Sequence, residues 1–276
     1  MCGPFHLKLG GRTLLMGILN VTPDSFSDGG RYLSIRRAVA HALRMQEEGA
    51  DLIDVGGEST RPGAKPVPAQ EEIRRILPVL DRLTGKLRIP ISVDTSKAAV
   101  AKAALCAGAS LVNDVTALRD PAMAEVVALA GVPVILMHMR GSPKTMQRKA
   151  IYRRVVPEVL AELKQSIKKA IAAGISRRQI LIDPGIGFSK RPEQSLAILQ
   201  GLGRFKELGF PLVVGPSRKA FIGHVLGTEV EDRLFGTAAA VSLAVMHGAN
   251  VVRVHDVGAM RQVVAVSEAI LRPGKG

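Results

Sequence analysis

The sequence predicts an α/β protein folded as one (β/α)8 (TIM) barrel, with its active site at the C-terminal ends of the strands. Three observations carry this. Eight short apolar, β-rich runs alternate strictly with eight longer helical patterns, within the roughly 250 residues that such a barrel takes. Several of the runs are apolar on consecutive residues, as strands buried on both faces require. Five helical patterns reach a glycine just before the next strand (Gly49, Gly108, Gly131, Gly174 and Gly209), where a left-handed residue closes a helix.

Taken in order, LLMGILN (14–20) leads to the helical pattern 35–50, LIDVGG (52–57) to 69–83, PISVDT (90–95) to 97–108, and LVNDVT (111–116) to 122–131. PVILMHM (133–139) then leads to 155–174, ILIDPG (180–185) to 192–209, PLVVGPS (211–217) to 233–248, and VVRVHD (251–256) to 259–271. An open doubly wound sheet would carry a Gly-rich dinucleotide turn after its first strand. The run here is GILNVTPDSFSDGG instead. No linker divides the chain, so residues 1–276 read as one domain, with about 12–272 as the barrel proper. The longest connections, 21–34, 58–68 and 140–154, all follow strands and fall on the functional face.

Composition narrows the function. The chain has 276 residues, 47% of them hydrophobic, which excludes a disordered protein. Aromatics are 3% with no Trp, which argues against a stacking platform for single-stranded nucleic acid. The net charge is +14, from 38 Lys and Arg against 24 Asp and Glu, and this favours anionic partners. The basic residues are scattered in pairs such as Arg36–Arg37, Arg153–Arg154 and Lys168–Lys169, so most read as a solvated surface. Cys2 and Cys106 form no disulfide framework or metal motif, and Cys106 reads as core within KAAVAKAALCAG. No signal-peptide or membrane-spanning pattern is present, and the expectation is a cytoplasmic protein with no membrane partner.

The polar residues fall where a barrel enzyme needs them. Strand ends carry Asn20; Glu58, Ser59, Thr60 and Arg61; Asp94; Asn113 and Asp114; His138; Asp183; Ser217, Arg218 and Lys219; and Arg253, His255 and Asp256. Unpaired buried polar groups are costly, so the joint pattern implies a ligand. Individually, Asp114 and Asp256 also read as helix caps, and His138 as a satisfied core histidine. Asp94, Asn113 and Asp183 supply acceptors, and an amide that also donates, at three neighbouring strand ends, which suits a flat heterocycle with amine and amide edges. Arg61, Lys219, Arg253 and His255 supply positive charge for phosphate or carboxylate. Asn20 and Thr60 are oxygen ligands on adjacent strands, and one or two such oxygens plus substrate phosphate is how Mg2+ is usually held.

In this order the chain also contains MGILNVTPDSFSDGG, DVGGESTRPGA, SVDTSK, VNDV, MHMRGSPKTMQ, IDPGIGF, SRKAFIG and RVHD. With these it resembles the dihydropteroate synthases nearly end to end. The resemblance implies condensation of (7,8-dihydropterin-6-yl)methyl diphosphate with 4-aminobenzoate to give 7,8-dihydropteroate and diphosphate, in folate biosynthesis. It implies that Asp94, Asn113 and Asp183 hydrogen-bond the pterin, that Lys219 reaches its carbonyl and ring nitrogen, and that Arg253 packs against it. Asn20, Thr60, Arg253 and His255 would hold the diphosphate, with Asn20 also on Mg2+. Ser59, Arg61, Pro62, Phe188 and the 217–220 stretch, Ser217 included, would frame the aminobenzoate. Asp94, Lys219 and Arg253 are the expected catalytic set, and sulfonamides and a homodimer are implied with them. The stretch after Ser217 reads as opening a helix, with Ala220 where the family most often has a hydroxyl-bearing residue facing the aminobenzoate carboxylate.

Two other readings share parts of this pattern. A methyltetrahydrofolate-to-corrinoid methyltransferase would share the pterin-binding Asp/Asn set, but it has no reason to carry the first loop, ESTRPG or SRK. A basic barrel binding nucleic acid is permitted by charge, but basic runs with interleaved aromatics are missing, so no nucleic-acid partner is expected.

Overall fold

In the computed structural model of the chain, the described residues are 5, 7–22, 30–61 and 63–273, with residues 30–34 described by backbone alone. Pro62, Cys2 and residues 23–29 of the first long loop therefore lie outside the described residues.

Eight parallel strands form the sheet: β1 (Leu14–Asn20), β2 (Leu52–Gly56), β3 (Ile91–Asp94), β4 (Leu111–Asp114), β5 (Val134–Met137), β6 (Ile180–Asp183), β7 (Val213–Val214) and β8 (Val251–Val254), in the order β6-β5-β4-β3-β2-β1-β8-β7. The two edges meet through a parallel bridge between Ile182 and Leu212, with Ile182 N–H donating to the Pro211 carbonyl at 3.0 Å. That closes the barrel. β7 is only two residues long because Pro211 and Pro216 bracket it and cannot donate to a ladder. The Asn250 side chain instead accepts from Leu212 N–H at 2.8 Å and stitches the strand to β8.

The helices are α1 (Gly30–Glu47), α2 (Ala69–Leu83), α3 (Ala98–Cys106), α4 (Pro121–Ala130), α5 (Val155–Ala172), α6 (Pro192–Gln200), α7 (Ala220–Leu226), α8 (Leu234–Met246) and α9 (Val257–Leu271). α4 shows the local logic. Asp120 caps it by accepting from Ala122 N–H at 3.0 Å, Pro121 occupies its first turn, and Gly131 ends it in the left-handed region. All five glycines expected as helix stops have positive φ, from +64° to +102°.

Two expectations are corrected. The pattern 192–209 is not one helix. It breaks after Gln200 into a 3-10 segment, Leu202–Leu208, where Gly201 and Gly203 lower helix propensity and Gly201 packs close to Val156. Cys106 is exposed rather than core. The buried face of α3 is Ala98, Val100, Ala101 and Ala104, and residue 106, about 200° round from 104, falls off it.

Inside the barrel, period-two alternation separates two layers. The lower layer is apolar: Leu14, Met16, Leu52, Leu111, Ile135, Leu181, Val213 and Val251, against which Phe5, Leu7 and Leu9 of the N-terminal segment pack. Two residues further along these strands stand Asp54, Asn113, Met137, Asp183, Gly215 and Arg253. A larger apolar cluster fills the space between sheet and helices. Among the described residues, no helix is long and apolar enough to cross a membrane.

Candidate active site

The upper layer opens into a pocket of about 320 Å³ at the C-terminal mouth. Asp94, Asn113, Asp183, Phe188, Lys219 and Arg253 line it, all of them expected, together with Val115, Met137, Gly185, Ile186 and Gly215. Register sets the level of several groups. Asn20, Gly56, Asp94 and Asn113 follow one another across β1–β4 as ladder partners. Asp183 stands apart from the other two acceptors, because β5 lies between β4 and β6. The three strand ends are therefore not all neighbours, and Asp183 reaches the pocket from the far side of β5.

Arg253 is the electrostatic hub. Its Nη2 donates to Asp94 Oδ2 at 2.7 Å, and its Nε donates to Asp54 Oδ2 at 2.6 Å. Asp54 Oδ2 also accepts from Asn113 Nδ2 at 2.9 Å. Asp54 is fully buried inside the barrel, and its Oδ1 has no protein partner among the described residues. Sequence reasoning passed over Asp54. The signal was there: a carboxylate in the middle of the apolar strand LIDVG, where it is costly unless it organises something. Here it aims both the arginine and the amide.

Burial pushes the Asp94 carboxyl up to about 7, with Arg253 and Lys219 pulling it back down and Asp54 raising it further. A carboxylate at Asp94 therefore requires a pH above that value in the free site. Burial likewise raises Asp183 to about 6, although the Gly185 N–H donates to its Oδ1 at 2.7 Å. Burial and the neighbouring Arg253 lower Lys219 to about 8, and its ammonium rests 4.1 Å from the centre of the Phe188 ring. These titrations are displaced toward neutrality from both sides, a pattern that clusters at functional sites.

Burial and the nearby Arg253 hold the His255 imidazole down to about 3, so in the free site it does not supply the positive charge expected of it. Ser217 Oγ accepts from His255 N–H at 3.2 Å and lies 3.0 Å from His255 Nδ1. An anion accepting from Nε2–H would leave Nδ1 to accept from the Ser217 hydroxyl.

Other expected residues sit at the rim. Ser59 and Thr60 are half-buried and Arg61 is exposed, on the loop that follows β2; Asn20 ends β1; Ser217 is buried on the loop before α7. Arg218 adopts a left-handed φ of +55°, and its guanidinium pairs with Asp256 through bonds of 3.0 and 2.6 Å. Asp256 occupies the N-cap position of α9 without capping it. Asp114 also caps no helix; it closes a turn by accepting from Thr116 and Leu118 N–H groups. His138 is a satisfied buried histidine, between Glu162 Oε2 and Lys190 Nζ, both at 3.0 Å.

The described residues contain no group of three or more His, Cys, Asp or Glu able to hold a metal. Asn20 offers one amide oxygen. That donor set fits an ion carried largely by substrate phosphate oxygens and does not fit a protein cage.

Comparison with known proteins agrees with this chemistry. The pterin-binding enzyme family matches residues 16–255. The chain is 46% identical to a dihydropteroate synthase of Bacillus subtilis (strain 168), over 98% of this chain and 93% of that one. Among solved structures it is similar to the dihydropteroate synthase of Xanthomonas albilineans with 4-aminobenzoic acid, at TM-score 0.90 and 49% identity, covering 95% of this chain and 94% of that one. It is likewise similar to that enzyme in complex with 7,8-dihydropteroate, at TM-score 0.90 and 46% identity, covering 98% of each chain.

Proposed function

The chain belongs to the pterin-binding enzyme family and to its dihydropteroate synthases, and from that premise we propose how the barrel mouth performs the reaction. The enzyme is a transferase that joins the pterinylmethyl group of (7,8-dihydropterin-6-yl)methyl diphosphate to 4-aminobenzoate, releasing diphosphate and forming 7,8-dihydropteroate. The observation that carries the assignment of roles is the pocket itself: Asp94, Asn113, Asp183, Lys219 and Arg253 converge there from five different strands and loops.

Asp94, Asn113 and Asp183 hydrogen-bond the amine and amide edges of the pterin, and Lys219 reaches its carbonyl side. Arg253, Thr60 and the Nε2–H of His255 hold the diphosphate, with Arg253 the charged member and His255 a neutral donor. Asn20, with the substrate's phosphate oxygens, would hold Mg2+, which would supply charge neutralisation on the leaving group. The CH2–O bond breaks with its electron pair going to diphosphate, and the electron-rich ring stabilises the cation left on the methylene. Asp94, as carboxylate, stabilises that cation electrostatically. The aniline nitrogen attacks the methylene and then loses a proton. Ser59, Arg61, Pro62, Phe188 and Ser217 frame the aminobenzoate, and exclusion of water from the mouth protects the cation from capture.

The chain acts as one pterin-binding domain in the cytoplasm, as a homodimer. Support for the dimer comes from adjacent helices that expose apolar side chains: Val225 on α7 and Leu243 and Met246 on α8, beside Phe235 at 84% exposure. A sedimentation mass of one chain at micromolar concentration would refute it. The reaction is tested by diphosphate release with each component omitted in turn. Sustained release should require the pterin diphosphate, 4-aminobenzoate and Mg2+ together, with one 7,8-dihydropteroate formed per diphosphate; release without dihydropteroate when all three are present would mean that the site only hydrolyses the diphosphate.

A further inference from the structure

Lys190 lies on the loop between β6 and α6 and is 3% exposed. Its Nζ donates to the Phe188 carbonyl at 3.0 Å and to His138 Nδ1 at 3.0 Å, and it lies 3.5 Å from the His138 carbonyl. None of these partners is a carboxylate. A buried ammonium held only by neutral acceptors is costly, and an apolar chain of the same length would fill the space more cheaply. Burial leaves the amine well below the ordinary lysine value, at about 7, although Asp183 and Glu162 pull it back up.

What the amine holds is the pocket wall. The same loop supplies Gly185, Ile186 and Phe188 to the pocket, and the Phe188 ring carries the Lys219 ammonium. The loop is bent hard. Ser189 sits at φ +47°, and a Cβ at Gly185 would come within 2.1 Å of the His138 carbonyl oxygen. Its other ties are shared with β5 and α5. The Arg140 backbone N–H donates to Ser189 Oγ at 2.9 Å. His138, with Nδ1 accepting from Lys190, donates through Nε2 to Glu162 Oε2 at 3.0 Å, and the Arg140 Nε donates to Glu162 at 2.9 Å.

We propose that Lys190 is a positioning residue for 4-aminobenzoate: by tying the Phe188 carbonyl to the end of β5, it sets the ring against which the arylamine rests and over which Lys219 lies. This rests on the placement of aminobenzoate against Phe188 proposed for the reaction.

The test is a double-mutant cycle on the full-length enzyme with Lys190→Met, Phe188→Ala and the pair, measuring KM for 4-aminobenzoate, kcat, and the affinity of a free 6-hydroxymethylpterin. Lys190→Met should raise KM on the order of tenfold, as the loss of one charge-assisted hydrogen bond implies, with kcat and pterin affinity moved by less than about threefold. In the Phe188→Ala background it should add nothing, because its effect passes through that ring. Lys190→Gln, which keeps a shorter donor, should restore part of the KM. An unchanged KM in Lys190→Met, effects that multiply in the double variant, or an equal loss of pterin affinity would overturn the proposal. So would loss of the folded state in both Lys190 variants. If Phe188→Ala itself leaves KM unmoved, the placement of aminobenzoate falls and the proposal with it; a KM raised by Phe188→Ala but not by Lys190→Met removes the proposal alone.

Discussion

Leu111 and Asn113 enter the same barrel from the same strand, two residues apart, and do opposite work. Leu111 belongs to the lower layer, a sealed apolar cluster. Asn113 belongs to the upper layer, where Asp54, Asp94 and Asp183 are buried with it and Arg253 is half-buried. Packing of the first kind stabilises the fold through the area it removes from water. Burial of the second kind costs free energy even when the charges are paired. The barrel can hold a destabilising ring at one end because the other end and the sheet–helix interface are largely apolar. The difference teaches that stability and activity are separated along each strand by a single step of the pleat.

The largest effect expected from probing this separation is at the lower layer. Leu111→Ala should cost about 2–5 kcal/mol of unfolding free energy in urea titration, with kcat changed by less than about twofold at temperatures where the variant is folded. An equal fall in kcat would mean that the two layers are mechanically coupled.

In the upper layer, Asp94→Asn should reverse the pattern. It should lower kcat on the order of 10²-fold or more, because a charge opposite a developing cation matters most in the transition state. The unfolding midpoint should move little, since Arg253 keeps Asp54 as its partner. The same residue sets a pH dependence. Activity needs Asp94 without its proton and Lys219 with its own, so kcat/KM should rise as pH increases through about 7 and fall as it passes about 8. In Asp94→Asn the acid limb belonging to this carboxyl should disappear. A parent profile flat from about pH 6 to 9 would remove the carboxyl from the chemistry.

Arg253 and His255 sharpen the comparison within the mouth. Arg253→Ala deletes a charged donor and should weaken diphosphate binding by about 10–150-fold, whereas His255→Ala deletes a neutral one and should cost about 2–12-fold. Calorimetry with Mg2+ present reads both, and equal losses would show that His255 is charged when the anion is bound. The smallest effect is at the rim. Ala220 opens α7 and is exposed. Ala220→Ser should lower KM for 4-aminobenzoate by a few-fold, solvent competing with the new hydrogen bond, while kcat stays near the parent value. Identical KM values would mean that the hydroxyl finds no carboxylate there.

Much of the architecture was legible in the sequence because β/α alternation is a local signal. β1 and α2 match their expected bounds to the residue, at 14–20 and 69–83, and the glycine stops fall where left-handed C-caps are needed. The pocket-lining members of the site were legible for a related reason: packing alone seldom places a polar residue at the end of an apolar strand, since burying it there costs free energy. Asp54 and Lys190 escaped: Asp54 sits mid-strand rather than at a strand end, although a carboxylate in an apolar run is itself a signal, and Lys190 lies in a loop, where nothing singles out a charged residue until its partners are known.

The chain by itself determined the alternation, the parity that turns Asp94, Asn113, Asp183 and Arg253 inward, and the motifs that mark the family, because each depends on spacing along the backbone. Only the tertiary structure decided which groups meet. Closure through Ile182 and Leu212 brings β6 beside β7, and the strand order places β5 between Asn113 and Asp183. It also decided how those groups are charged. Asp94 near 7, Lys219 near 8 and a neutral His255 follow from burial and from charges distant in sequence, and a titration is fixed by the space around a group, which no stretch of sequence encodes alone.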